Sequence, residues 1–150
     1  MSRGSDWRRL KEMSWRDRLL LAETAATLTA ASFAIRLLPF RSVVGAIASR
    51  QVRAQVPVEA RALQIKRVRW AVEACARRLP WRIVCFQKGL AVQRLLARRG
   101  IPTALHYGVA QDWERGLIAH VWVTHGGEAI IGGEEAPRHT CLATYPPLAS

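Results

Sequence analysis

Through the first half of the chain, apolar positions recur every three or four residues, the period of a helix face. Trp7, Leu10, Met13 and Trp15 form a loose helical face within residues 6–18. The spacing predicts a long helix from about Ser14 to Leu38. Pro39 ends it, because proline lacks an N–H and its ring clashes with the preceding turn. A shorter helix is expected from Phe40 to Arg53, with Pro57 suited to the first turn of the next one. That helix runs from Glu59 to Arg78, with Ile65, Val68, Val72 and Cys75 as its apolar stripe, Ala62 and Ala71 beside them, and Pro80 as its stop.

After Pro80 the pattern changes. A helix from about Cys85 to Arg99 carries Leu90, Leu95 and Leu96 on one side, and Gly100 is a natural cap at its end. Three strand-like runs follow: Thr103 to Ala110, Leu117 to Thr124, and Glu128 to Ile131. Gln111 to Gly116 reads as the first turn, and His125-Gly126-Gly127 as a hairpin turn. The tail from Pro137 reads as loop. The fold class expected is α+β. A helical N-terminal region (1–79) precedes a core (80–150) in which a cysteine-bearing helix packs on a small antiparallel sheet.

Composition narrows this picture. At 150 residues, half of them apolar, the chain can bury a core without a disulfide or metal staple. Its 23 basic and 11 acidic residues give a net charge of +12, which favours an acidic partner. The 20 arginines are spread over several helices and match no nucleic-acid module, so nucleic acid is not expected. Cys75, Cys85 and Cys141 are odd in number and irregularly spaced, a poor disulfide framework that points to a reducing, cytoplasmic setting. Leu19 to Ile35 is the most apolar early run, yet it contains Glu23 and is followed by Arg36. It therefore reads as a helix of a soluble protein, with contact at a membrane surface as the main alternative.

The chemistry centres on two residues. Cys85 sits at a predicted helix start, where free N–H groups and partial positive charge favour a thiolate and can receive an oxyanion. The bland alternative is a buried structural cysteine. His120 lies within an apolar strand, where an imidazole needs partners. Alternation puts it on one face with Trp122. A thiolate–imidazolium pair accounts for both Cys85 and His120, whereas a hydrogen-bonded core histidine accounts for His120 alone. A third group should orient the imidazole. A two-residue turn at Gly126-Gly127 places Gly133 opposite His120, and a change of one residue brings Gly132 or Glu134 near. A bulge at Gly132-Gly133 would re-aim Glu134 or Glu135. Cys75 reads as structural. A zinc site from Cys85, His120, His139 and Cys141 has no familiar spacing, so neither metal nor cofactor is expected.

The second half resembles the lasso peptide leader peptidases, the transglutaminase-like cysteine proteases of lasso peptide biosynthesis. The resemblance rests on Pro80-Trp81 ahead of Cys85, the helix ending Leu95-Leu96-Ala97-Arg98-Arg99-Gly100-Ile101-Pro102, then Leu105 and Gly108-Val109. It continues through Ala119-His120-Val121-Trp122-Val123, Gly127, Gly132-Gly133-Glu134, and Tyr145-Pro146 with Leu148. The helix with Glu23, closing in Leu38-Pro39-Phe40, is similar to the N-terminal region of the stand-alone form of these peptidases.

The resemblance implies a papain-like core that removes the leader from a ribosomally made precursor. Cys85 would be the nucleophile and His120 the general base, with Trp81 and Trp122 positioning the oxyanion or substrate. The family's acid falls roughly a dozen residues after the histidine, where this chain has Gly132-Gly133; Glu134 is then the candidate acid. Thr124-His125 also stands where an acidic residue is more usual. The implied partners are the precursor leader peptide, a small leader-recognition protein and a lasso cyclase. The first 79 residues lack the strand pattern of the recognition module, so that module is expected as a separate protein. Three other readings compete: another acyl transferase or amidase on the same core, a non-catalytic scaffold for peptide maturation, and a basic binder of membrane surfaces or nucleic acid.

Overall fold

The computed structural model describes residues 12–48 and 56–146. Helix α1 spans Trp15–Leu37. Ser14 caps it, its Oγ accepting the Asp17 N–H at 3.2 Å. Asp17 in the first turn and Arg36 in the last complement the helix dipole. Pro39 separates α1 from α2 (Phe40–Ala48), whose expected continuation to Arg53 lies outside the described residues, as do Trp7 and Leu10. Phe40 anchors α2 by stacking on Phe86 at 5.0 Å between ring centroids, with Tyr107 at 5.5 Å.

Helix α3 spans Val58–Arg78, and Pro57 stands just before it rather than inside its first turn. Its expected stripe is largely the buried one: Val68, Ala71, Val72 and Cys75 are buried, and Ile65 packs against them. Helix α4 (Cys85–Arg98) is followed by Arg99 and then Gly100, whose φ of 71° suits glycine. Leu28 of α1, Val68 and Val72 of α3, and Leu90, Leu95 and Leu96 of α4 join one core with Leu105, Val121 and Val123 of the sheet. Each fully buried leucine contributes about 2 kcal/mol through removal of its side chain from water.

The sheet is antiparallel, in the order β3-β2-β1-β4. Its strands are β1 (Ala104–Asp112), β2 (Gly116–His125), β3 (Glu128–Ile131) and β4 (Thr140–Tyr145). The fold is therefore α+β, with N-terminal helices packed on a four-stranded antiparallel sheet. The fourth strand corrects the reading of the tail as loop. It pairs with β1, Tyr107 facing Ala143 and Leu105 facing Tyr145. The β2–β3 hairpin begins in the expected register, His125 opposite Glu128 and Thr124 opposite Ala129. It then slips by one residue, so that Val123 faces Ile131. The irregularity falls before Gly132-Gly133 rather than on it.

Gly89 sets how closely α4 lies on the sheet. A Cβ there would stand 2.7 Å from Val121 Cγ1 and 3.4 Å from Leu105 Cδ1. This close approach carries Cys85, one turn earlier, toward the strand that bears His120. Gly89→Ala should gain about 1 kcal/mol in helix propensity and lose about 1–3 kcal/mol to overpacking. The expected net result is a lower urea midpoint; a raised midpoint would show that the contact yields freely.

Candidate active site

Cys85 opens α4, and its thiol is free and half-buried. The first intrahelical bond at this end runs from the Lys88 N–H to the Val84 carbonyl at 3.2 Å. The N–H groups of Cys85, Phe86 and Gln87 precede that bond and are the ones a helix leaves for other acceptors. The Gln87 side chain braces the turn. Its Oε1 accepts the Val84 N–H at 2.6 Å, and its Nε2 donates to Ser32 Oγ at 2.9 Å, tying the start of α4 to α1.

Cys85 and His120 line the same cleft, of about 200 Å³. Ile83, Val121 and Ile131 supply its apolar wall. His120 lies beyond the last β2–β3 pair, at Val123–Ile131, where the chain after β3 leaves the ladder. Its Nε2 stands 2.8 Å from the Gly132 carbonyl oxygen. A carbonyl only accepts, so Nε2 carries the proton and donates, and Nδ1 of the neutral ring is left as the basic nitrogen. The chain can present this oxygen because Gly132 adopts φ 75°. A Cβ there would lie 2.6 Å from Val121 O and 3.1 Å from His120 Nε2.

The proposed site residues fall in different places. Glu134 lines the cleft, but its carboxylate lies 3.6 Å from Arg69. Among the described residues it makes no hydrogen bond to His120. Glu135 is exposed and faces Arg138 at 3.9 Å. Trp122 is buried beside His120, their rings 6.2 Å apart and near-parallel, which confirms the shared face. Trp81 lines a separate cleft with Ser32, Phe33 and Arg36. His139 stands next to His120 at 5.1 Å between ring centroids, its Nδ1–H donating to the Glu135 carbonyl at 2.8 Å. Cys141 is on β4 opposite Gly108, and among the described residues no three metal-ligating side chains converge.

Two residues of the cleft were not anticipated. Lys88 lies one turn beyond Cys85 on α4, and its Nζ is 3.1 Å from Glu73 Oε2 on α3. Their pairing leaves little net charge beside the thiol. The spacing of Cys85 and Lys88 by three residues was a signal that they share a face. Glu73 offered none, since its place depends on how α3 and α4 pack.

On the face that carries Trp122, His106 stacks on that indole at 5.3 Å and is held by the Thr144 and Thr124 hydroxyls at 3.0 and 2.9 Å. Burial pushes the His106 pKa below its ordinary 6.5. Between the two values the unfolded chain is protonated and the folded one is not, so stability falls as the pH drops through 6.5 toward the folded value. Urea titrations from about pH 7.5 to 5 should show this loss, and His106→Gln should flatten it. An unaltered profile in that variant would assign the loss to other groups.

The molecule is thus an α+β protein in which a helix-start cysteine and a strand histidine open on one cleft. The family model described as the transglutaminase-like superfamily matches residues 12–144, and the chain belongs to that superfamily. No curated protein and no solved structure gives a significant match.

Proposed function

We propose that the protein is a cytoplasmic cysteine peptidase that removes the leader from a ribosomally made lasso peptide precursor. It acts with a leader-recognition protein and a lasso cyclase. The observation that carries the reading is the shared cleft of Cys85 and His120, with His120 Nε2 tied to Gly132 O.

In this mechanism His120 Nδ1 takes the Cys85 proton, and the thiolate attacks the carbonyl carbon of the scissile bond. The N–H groups at the start of α4 receive the oxyanion. The imidazolium returns its proton to the departing amine, and the leader remains as a thioester on Cys85. Water, deprotonated by His120, then releases it as a carboxylic acid. Gly132 O holds the ring throughout, since Nε2 keeps its proton in both states. Glu134, the carboxylate expected to orient the imidazole, faces Arg69 at 3.6 Å, so in this mechanism Gly132 O takes that part. The charge of +12 suits an acidic leader or recognition protein, and such binding should weaken as salt is raised.

The test is mass spectrometry of a precursor encoded beside this gene, incubated with the protein and its recognition partner. One cut releasing the leader is expected with wild type and none with Cys85→Ala. The main-chain partner of His120 favours a second reading, a non-catalytic scaffold. An uncut precursor, with partner binding confirmed, would select it.

A further inference from the structure

We propose that the outward face of α1 docks along an anionic bilayer surface. Four large apolar side chains of α1 are exposed: Trp15 is 65% exposed, Leu19 58%, Phe33 59% and Leu37 76%. Between Leu19 and Phe33 the exposed positions are Ala22, Ala26 and Ala30. These residues follow a helical period, so they form one stripe, and the uncharged part from Leu19 to Phe33 is about 21 Å long.

The charges of α1 are sorted. Both of its acids turn inward: Asp17 Oδ1 meets Arg67 at 2.6 Å, and Glu23 meets Arg99 at 2.7 Å and Arg98 at 3.1 Å. Exposed arginines stand at its ends, Arg16 and Arg18 at one and Arg36 at the other. The stripe therefore presents apolar surface bounded by cations, on a chain of charge +12. That is the arrangement of a helix lying in a lipid interface, with guanidinium groups at the phosphates. The cleft of Phe33, Arg36 and Trp81 extends the face with an indole, a side chain suited to the headgroup level.

Cations at both ends of the stripe and the excess of basic residues match the charge of an anionic bilayer. The opposite side of α1 holds Leu20, Thr24 and Leu28 in the core, so the helix lies on the membrane and does not cross it. The docking does not depend on the peptidase reading.

The test is co-sedimentation of the full chain with vesicles of phosphatidylglycerol and phosphatidylcholine, against phosphatidylcholine alone. Binding to the anionic vesicles that weakens with salt is expected. Leu19→Glu with Phe33→Glu should reduce it at least about tenfold. Arg16→Glu with Arg36→Glu should reduce it at least about fivefold. Circular dichroism confirms that each variant is folded. Equal binding to both vesicle types, or no binding by the folded wild type, would overturn the proposal. So would self-association in vesicle-free solution that the Leu19→Glu, Phe33→Glu variant loses, since the face would then meet a second copy.

Discussion

Cys85→Ala is expected to lower turnover of a cleaved precursor by at least about a thousandfold, because the residual rate then rests on binding and oxyanion contacts alone. His120→Ala should cost nearly as much, and the double variant little more, since a nucleophile and its base act as one unit. Stability should change far less. Cys85 is half-buried and packs at the edge of the core, so its loss leaves no large cavity. Thiol labelling gives a check that needs no substrate. Cys75 is buried, and desolvation pushes its pKa up, so it should resist iodoacetamide in the native state. Cys85 should be alkylated, and His120→Ala should slow that reaction. Turnover retained in Cys85→Ala, or labelling of Cys85 indifferent to His120, would sink the nucleophile assignment.

The parts of the molecule legible in the sequence are those whose pattern has a period. Val68, Val72 and Cys75 recur at helical spacing and are buried in α3. Leu90, Leu95 and Leu96, the expected apolar side of α4, are buried as well. Cys85 at a helix start and His120 on a strand follow from the stop at Pro80 and the apolar run around Ala119-His120-Val121. The strand β4 did not emerge, because Thr140–Tyr145 is a short edge strand whose first three residues are exposed, so it lacks an inward alternation. It becomes a strand through pairing with β1, a tertiary event that local propensity does not announce.

The site has a similar limit. The position where the resemblance places an acid is held by Gly132-Gly133, and Glu134 is the first carboxylate after it. The oxygen that meets His120 belongs to the main chain of Gly132. No residue type codes for a carbonyl. What the sequence can show is the glycine that lets the backbone turn it inward. The ion pair of Glu73 with Lys88 was hidden for another reason: its members lie on two helices separated by the Pro80 turn, and only their packing brings them to 3.1 Å.

Gly132→Ala should therefore affect both stability and reactivity, and Gly126→Ala separates the two. Both glycines have positive φ, 75° and 57°, where a Cβ costs about 1–2 kcal/mol. At Gly126 nothing lies within 4 Å of a new Cβ, so that cost stands alone. At Gly132 the Cβ would meet Val121 O at 2.6 Å and the Trp122 Cα at 3.2 Å, and one of these must shift. Crowding of this kind adds about 1–3 kcal/mol, so Gly132→Ala should have the lower urea midpoint of the two. The shift also moves the carbonyl that holds His120 Nε2. A hydrogen bond to a group that becomes charged is worth about 1.5–3 kcal/mol. Cleavage and Cys85 alkylation should then fall roughly 10- to 100-fold at temperatures where the variant remains folded, whereas Gly126→Ala keeps the wild-type rate. Gly132→Asp carries the same strain, and a carboxylate on that Cβ cannot replace the displaced carbonyl without a new backbone path, so it should not rescue the rate. Equal midpoints for Gly132→Ala and Gly126→Ala, together with unchanged alkylation of Cys85, would remove Gly132 from the site and leave His120 without its orienting oxygen.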